Sequence, residues 1–142
     1  MPKFVFRLDA LLRLRQAERD QHRRELAGVL AAEESLRPAR EALATELQVL
    51  ATTSRRTGAI DTADLLARES EGSRLRASLA KLENQQAELL EQFTAQQAAL
   101  NRADAQVGAL EKLRERRELE WRRASAAGEL KSVANTTQRA TC

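Results

Sequence analysis

The chain has 142 residues, of which 32% are charged and 3% aromatic, and its formal net charge is +3. Ala, Leu, Glu, Arg and Gln dominate, a composition typical of long helices rather than of a compact globule. The single cysteine, Cys142, excludes an intramolecular disulfide, and no apolar run approaches the roughly 20 residues that span a bilayer. The N-terminus has no signal-peptide core, which favours a cytosolic protein. We therefore expect an extended, all-α protein with a thin core.

The first predicted helix runs from about residue 7 to about residue 54. Its apolar residues recur at alternating steps of three and four, the spacing of a coiled-coil stripe. Pro38 lies inside this pattern, but the stripe resumes in the same phase at Leu43, so we interpret Pro38 as a kink rather than a helix end. The stripe comprises Leu8, Leu12, Arg15, Arg19, His22, Leu26, Val29, Glu33, Leu36, Arg40, Leu43, Leu47 and Leu50.

A turn is predicted at about residues 55–61. Gly58 is a natural left-handed terminator of the first helix. Asp61 can cap the amide of Asp64, and Ile60 can pack on Leu65 as a hydrophobic staple, which predicts an immediate new helix start. The second helix is expected from about residue 62 to about residue 130, followed by a frayed tail at residues 131–142.

The second helix carries a stripe of the same spacing. Its residues are Leu75, Leu79, Leu82, Gln86, Leu89, Phe93, Gln96, Leu100, Ala103, Val107, Leu110, Arg114, Arg117 and Trp121. A stripe this narrow needs a partner helix, and a short turn between two long helices makes them antiparallel neighbours. The sequence therefore predicts a single domain formed by one long two-helix antiparallel coiled-coil hairpin.

Folding the chain back at residue 58 also predicts a register. Leu50 would lie near Arg68, Leu36 near Leu79 or Leu82, and Leu12 near residues 100–104. The second helix would then continue uncovered beyond about Leu110.

Catalysis and metal binding are not expected. The only histidine, His22, lies on the first stripe, and catalytic or metal sites need several convergent partners. Carboxylate pairs such as Glu33 and Glu34 would face solvent without a pocket. We therefore predict a non-enzymatic protein with no cofactor.

Charge and apolar surface coincide late in the second helix. Arg114 and Arg117 interrupt the stripe, and Trp121, the only tryptophan, is predicted to lie there without a partner in the chain. A tryptophan flanked by arginines has the composition of a protein-interface hot spot. The equally weighted alternative is a solvated helix face with ion pairs between residues four apart. Phe4 and Phe6 either join the same binding surface or merely cover the end of the stripes.

Nucleic acid is not the expected partner, because glutamates intersperse the arginines and no aromatic platform accompanies them.

Two short motifs carry a family resemblance. The first is Phe4-x-Phe6-x-Leu8-x-x-Leu11-Leu12-x-x-Arg15, with Glu18 shortly after, and the second is Leu110-Glu111-Lys112-Leu113-x-x-Arg116-Arg117. In these motifs, in its length and in the two-helix layout, the chain resembles the FliJ family of bacterial flagellar export proteins.

The resemblance implies a stalk-like protein of flagellum biogenesis, motility and chemotaxis. Its free-terminal end would enter the central hole of a hexameric export ATPase, and other surfaces would contact the cytosolic domain of the export gate and escort export chaperones. The protein would then be cytoplasmic and bound only peripherally to the inner membrane at the flagellar base. The alternative is a generic coiled-coil adaptor, or a substrate-holding chaperone that is prefoldin-like or belongs to an injectisome.

The resemblance also assigns candidate binding residues. Those for the ATPase are Leu11, Leu12, Arg15, Leu110, Leu113, Arg116, Arg117 and Trp121. Those for the export gate lie between residues 43 and 50 and between residues 75 and 86, with Leu47, Leu75, Leu79 and Gln86 as the chosen side chains.

Overall fold

A computed structural model describes residues 2–55 and 61–140. Two helices, α1 (Asp9–Ser54) and α2 (Thr62–Ala140), form an all-α helical hairpin, and the described ranges contain no strand. Both predicted helix starts and the predicted end of α1 are confirmed. The predicted turn residues Gly58 and Ile60, and Cys142, lie outside the described residues.

The end of α2 was predicted wrongly. The helix continues to Ala140 instead of ending near residue 130. Residues 131–140 contain no proline or glycine, and the hydroxyls of Thr136 and Thr137 donate to the carbonyls of Ser132 and Val133 at 2.8 Å. This segment therefore has no apolar stripe to pack against another helix, but the backbone hydrogen bonds of α2 continue through it.

Pro38 lies inside α1, as predicted, and does not end the helix. The last turn of α1 consists of Thr52, Thr53 and Ser54, which are weak helix formers. Their hydroxyls each donate to the carbonyl four residues earlier at 2.8 Å, so these side chains bond to the helix backbone without disrupting it.

The contacts divide the chain into two compact units. The terminal unit comprises residues 1–22 and 99–142, and the inner unit comprises residues 23–98. Each unit contains part of α1 and part of α2. The single-domain assignment stays a prediction.

The core of the terminal unit contains Phe6, Leu12, Ala103 and Val107, with Leu12 and Val107 each only 2% exposed. Most other stripe residues of this unit are half-buried, as predicted. Leu8 is the apolar exception at 38% exposure, because it precedes α1 and does not share its periodicity.

In the inner unit every predicted stripe residue is buried or half-buried, which is compatible with a coiled coil. Leu75 is the most buried, at 2% exposure. Gly72 is also buried, and a Cβ atom added there would lie 3.3 Å from Cδ2 of Leu50. Because Gly72 has no side chain, Leu50 can pack closely against α2 at this position.

The predicted register was wrong by at least one helical turn. In the inner unit Leu50 packs at Gly72 rather than near Arg68, and the guanidinium of Arg68 instead donates to the carbonyl of Thr53 at 3.5 Å. The first turns of α2 therefore extend past the end of α1, where Leu65 and Leu66 are 55% and 67% exposed.

The same displacement holds in the terminal unit. Leu12 was predicted near residues 100–104 but lines a depression with Arg114. Folding symmetrically about residue 58 ignored the α2 turns that α1 does not cover, so the predicted partners of Leu50 and Leu12 came too early in α2.

Candidate functional site

The terminal unit contains an open groove between the N-terminal segment and the late part of α2. The groove has a volume of about 550 Å³. Its lining is mainly apolar, and it consists of Phe4, Val5, Phe6, Arg7, Leu8, Leu113, Arg117, Glu120, Trp121 and Ala124. We call it the terminal groove.

Phe4 and Trp121 form the aromatic part of the terminal groove. Their ring centroids are 6.1 Å apart and their planes are inclined by 51°. Both side chains are half-buried. The prediction that Trp121 has no partner within the chain was therefore wrong, because the N-terminal segment lies along α2 and brings Phe4 to it.

A short turn before α1 holds that segment. The amide of Asp9 donates to the carbonyl of Phe6 at 3.1 Å, and the Phe6 side chain is only 9% exposed. Phe6 therefore anchors the segment in the core, while Val5, at 79% exposure, faces solvent.

Asp9 at the first turn of α1 is the acidic centre of a small ion-pair network. Its carboxylate lies 3.0 Å from the Arg13 guanidinium and 4.0 Å from that of Arg114 on α2. A carboxylate in the first turn of a helix is also favoured by the helix dipole. Arg114 thus ties α2 to the start of α1, and the pair is too exposed to contribute more than a fraction of a kcal/mol.

The remaining arginines of this region differ in their surroundings. Arg116 and Arg117 are exposed, and Arg117 lines the terminal groove beside Glu120. One turn later Arg122 bonds Glu118 at 2.9 Å, an ion pair between residues four apart. Both interpretations of the arginine cluster thus find support. Arg122 belongs to an ion-paired, solvated helix face, whereas Arg117 is exposed on a surface that another protein could contact.

The structure places all candidate ATPase-binding residues in the terminal unit. It brings Leu113, Arg117 and Trp121 together in the terminal groove. Leu12 is buried and offers no surface, and Leu110 is half-buried. Of the others, Leu11 is 36% exposed, Arg116 is exposed, and Arg15 bonds Glu18 at 2.9 Å.

The candidate gate-binding residues all lie in the inner unit. Leu75 is buried against α1, and Leu47 and Leu79 are half-buried. Gln86 accepts a hydrogen bond from the Arg40 guanidinium. These four side chains therefore serve mainly in the packing of the two helices, and Gln86 also lines a groove.

The site residues that sequence reasoning left out are mostly in the N-terminal segment. Phe4 and Phe6 were weighed as part of the binding surface but not included among the candidate ATPase-binding residues, although both line the terminal groove. Their spacing of two, just before a helix, was the available signal. Val5, Glu120 and Ala124 also line the groove and carried no signal.

Glu71 and Arg74, two exposed side chains of the inner unit, have shifted pKa values. A hydrogen bond from Arg74 lowers the pKa of the Glu71 carboxyl, and the same bond raises the pKa of Arg74. Because both side chains are exposed to solvent, this pair is a surface ion pair and marks no site.

Within residues 2–55 and 61–140, no three His, Cys, Asp or Glu side chains cluster so as to hold a metal ion. Neither helix has, over its described length, a segment long and apolar enough to cross a membrane. The chain matches no protein-family model, no curated protein and no solved structure. The fold and the terminal groove thus define a class, a helical hairpin with an apolar, arginine-lined surface.

Proposed function

We propose that this chain is a non-enzymatic, stalk-like component of the bacterial flagellar protein export apparatus. In this proposal the terminal unit binds the hexameric export ATPase, and residues of the inner unit contact the cytosolic domain of the export gate. The protein also escorts export chaperones, works in the cytoplasm and reaches the inner membrane only through the apparatus. Nucleic acid is not a partner.

One observation carries the proposal. The two motifs behind the resemblance to the FliJ family lie far apart in sequence, yet their residues share one surface. Phe4, Phe6 and Leu8 from the first motif line the terminal groove with Leu113 and Arg117 from the second. The hairpin thus brings the two motifs to one surface, which is the arrangement that the family resemblance requires.

The chemistry of the terminal groove suits a protein partner. Trp121 supplies a large apolar surface, and the exposed Arg116 and Arg117 guanidiniums can bind carboxylates in a bidentate manner. A partner surface with acidic residues around an apolar centre would complement it. Docking of this kind transmits position or force, and it needs no reacting group on this chain.

The test is a pull-down of the export ATPase from the same organism. The variant Trp121→Ala with Arg117→Ala removes the aromatic and basic parts of the groove and should abolish ATPase recovery. The matched control is Leu119→Ala with Arg123→Ala, which changes an exposed leucine and an exposed arginine of the same helix outside the groove. Circular dichroism should give the same helix content for both variants. Undiminished recovery with the first variant would end the assignment of the ATPase to this groove.

A deletion strain separates the flagellar proposal from the adaptor and chaperone alternatives. Loss of filaments and of motility, restored by the intact gene, is expected only if the chain serves flagellar export. A motile deletion strain with normal filaments would refute the proposal, whatever the pull-down shows.

A further inference from the structure

We infer that a second groove, in the inner unit, is a docking site for a basic amphipathic helix of another protein. The groove lies between α1 and α2 and has a volume of about 370 Å³. It is lined by Val29, Leu30, Glu33, Glu83, Gln86, Ala87, Leu89, Leu90 and Phe93, and we call it the inner groove. It does not overlap the terminal groove, and the inference does not depend on the proposed function.

The floor and sides of the inner groove are more apolar than the helix packing requires. Val29, Leu89 and Phe93 belong to the stripes and are half-buried. Leu30 and Leu90 lie outside the stripes and remain 43% and 65% exposed. Much of the surface of these two leucines is therefore open to solvent, and an apolar partner would cover it.

Both charged side chains that line the inner groove, Glu33 and Glu83, are acidic. Basic side chains come close where Arg37 and Arg40 line a small neighbouring depression with Glu33 and Gln86. Residues 25–36 of α1 and 82–101 of α2 contain no lysine or arginine. They carry six glutamates, which are Glu25, Glu33, Glu34, Glu83, Glu88 and Glu91. The net charge of the whole chain is nevertheless +3, so the basic residues have been concentrated elsewhere.

These two acidic segments are neighbours in space. Glu33 and Glu83 line the inner groove from opposite helices. Glu25 lines an adjoining depression that shares Val29 and Leu89 with the inner groove. Arg37 and Lys81 bound the segments at one end, and Arg24 and Arg102 at the other. Of the six carboxylates, those of Glu33 and Glu83 flank the apolar centre of the inner groove from both helices.

This arrangement selects the occupant by charge. A helix that lays leucine-like side chains into the groove would place its flanking residues beside the glutamates, so lysine and arginine are favoured there and glutamate is repelled. The α2 part of the groove, from Glu83 to Phe93, is about 15 Å long, which corresponds to about three turns of a partner helix. Apolar residues at positions i, i+3, i+4 and i+7 would fit that length.

The probe is a synthetic peptide of about 18 residues, with leucine at the i, i+3, i+4 and i+7 positions and lysine flanking them. A control peptide replaces every lysine with glutamate. Fluorescence anisotropy with the full-length protein should show binding of the lysine peptide only. The affinity should fall as salt is raised from about 50 to 300 mM, because part of the attraction is electrostatic.

Matched variants locate the binding. Leu30→Ala with Leu90→Ala should weaken the lysine peptide about tenfold, whereas Val49→Ala with Leu66→Ala changes two exposed apolar residues outside the groove and should have no effect.

Glutamine substitutions test the charge in the same way. Glu33→Gln with Glu83→Gln should weaken binding severalfold, whereas Glu41→Gln with Glu46→Gln removes the same charge elsewhere in the inner unit and should not.

Three results would overturn the inference. They are equal binding of the glutamate peptide, equal loss of affinity in the control variants, and self-association of the protein that Leu30→Ala with Leu90→Ala abolishes. The last result, measured by analytical ultracentrifugation without peptide, would assign the inner groove to a second copy of this chain.

Discussion

The contact between Phe4 and Trp121 makes the N-terminal segment part of the terminal groove, and Phe4→Ala should detach it. The ring pair contributes about 0.5–1.5 kcal/mol beyond burial. The half-buried Phe4 side chain adds about 1 kcal/mol of apolar transfer free energy. We therefore expect the free energy of unfolding to fall by about 1.5–2.5 kcal/mol.

The assay uses the only tryptophan as a local probe. Loss of the Phe4 ring exposes the Trp121 indole, so its emission maximum should move to longer wavelength and its quenching by acrylamide should increase. Urea unfolding followed by circular dichroism measures the change in stability. Val5→Ala is the matched control, because Val5 is 79% exposed and should change the free energy of unfolding by less than about 0.5 kcal/mol.

Two outcomes would refute the reasoning. An unchanged emission maximum in Phe4→Ala would mean that Phe4 does not cover Trp121 in solution. An equal loss of stability in Val5→Ala would mean that the segment is held by its backbone rather than by its aromatic side chain.

Two further predictions concern the inner unit. Gln96→Leu should raise the free energy of unfolding by about 1 kcal/mol in urea titrations, because the buried Oε1 atom of Gln96 has no hydrogen-bond partner in the described structure. Gly28→Ala should raise the free energy of unfolding by up to about 1 kcal/mol through helix propensity, since the new methyl group meets nothing within 4 Å beyond the adjoining helix backbone. Gly72→Ala should gain less, because its methyl group would press on Leu50 at 3.3 Å.

The control for the glutamine is Gln86→Leu. Gln86 accepts a hydrogen bond from Arg40, so its replacement removes that bond and should give no gain in stability. If Gln86→Leu and Gln96→Leu raised the free energy of unfolding equally, the gain would come from the apolar leucine side chain and not from removal of the unpaired Gln96 oxygen. For the glycines, equal stabilisation at both positions would contradict the close packing at Gly72.

The candidate site could be predicted only in part. Arg117 and Trp121 were chosen because arginines interrupt an apolar stripe, and they do lie in the terminal groove. Leu12 was chosen from the N-terminal motif but is 2% exposed, because that motif mixes residues that face the core with residues that face outward. Phe4 was not chosen, since it precedes α1 and no helical period predicts where its side chain lies.

The periodicity of the sequence alone determined that two helices form and which face of each is buried. Such information is local, because the side chains that share a helix face are three or four residues apart and any partner helix would bury them.

Only the tertiary structure decided which residues lie opposite one another. That choice depends on where the helices meet and on contacts such as Leu50 against Gly72, which displace the register from symmetry about residue 58. The two grooves follow from this register, because a groove exists only where particular side chains of both helices leave space between them.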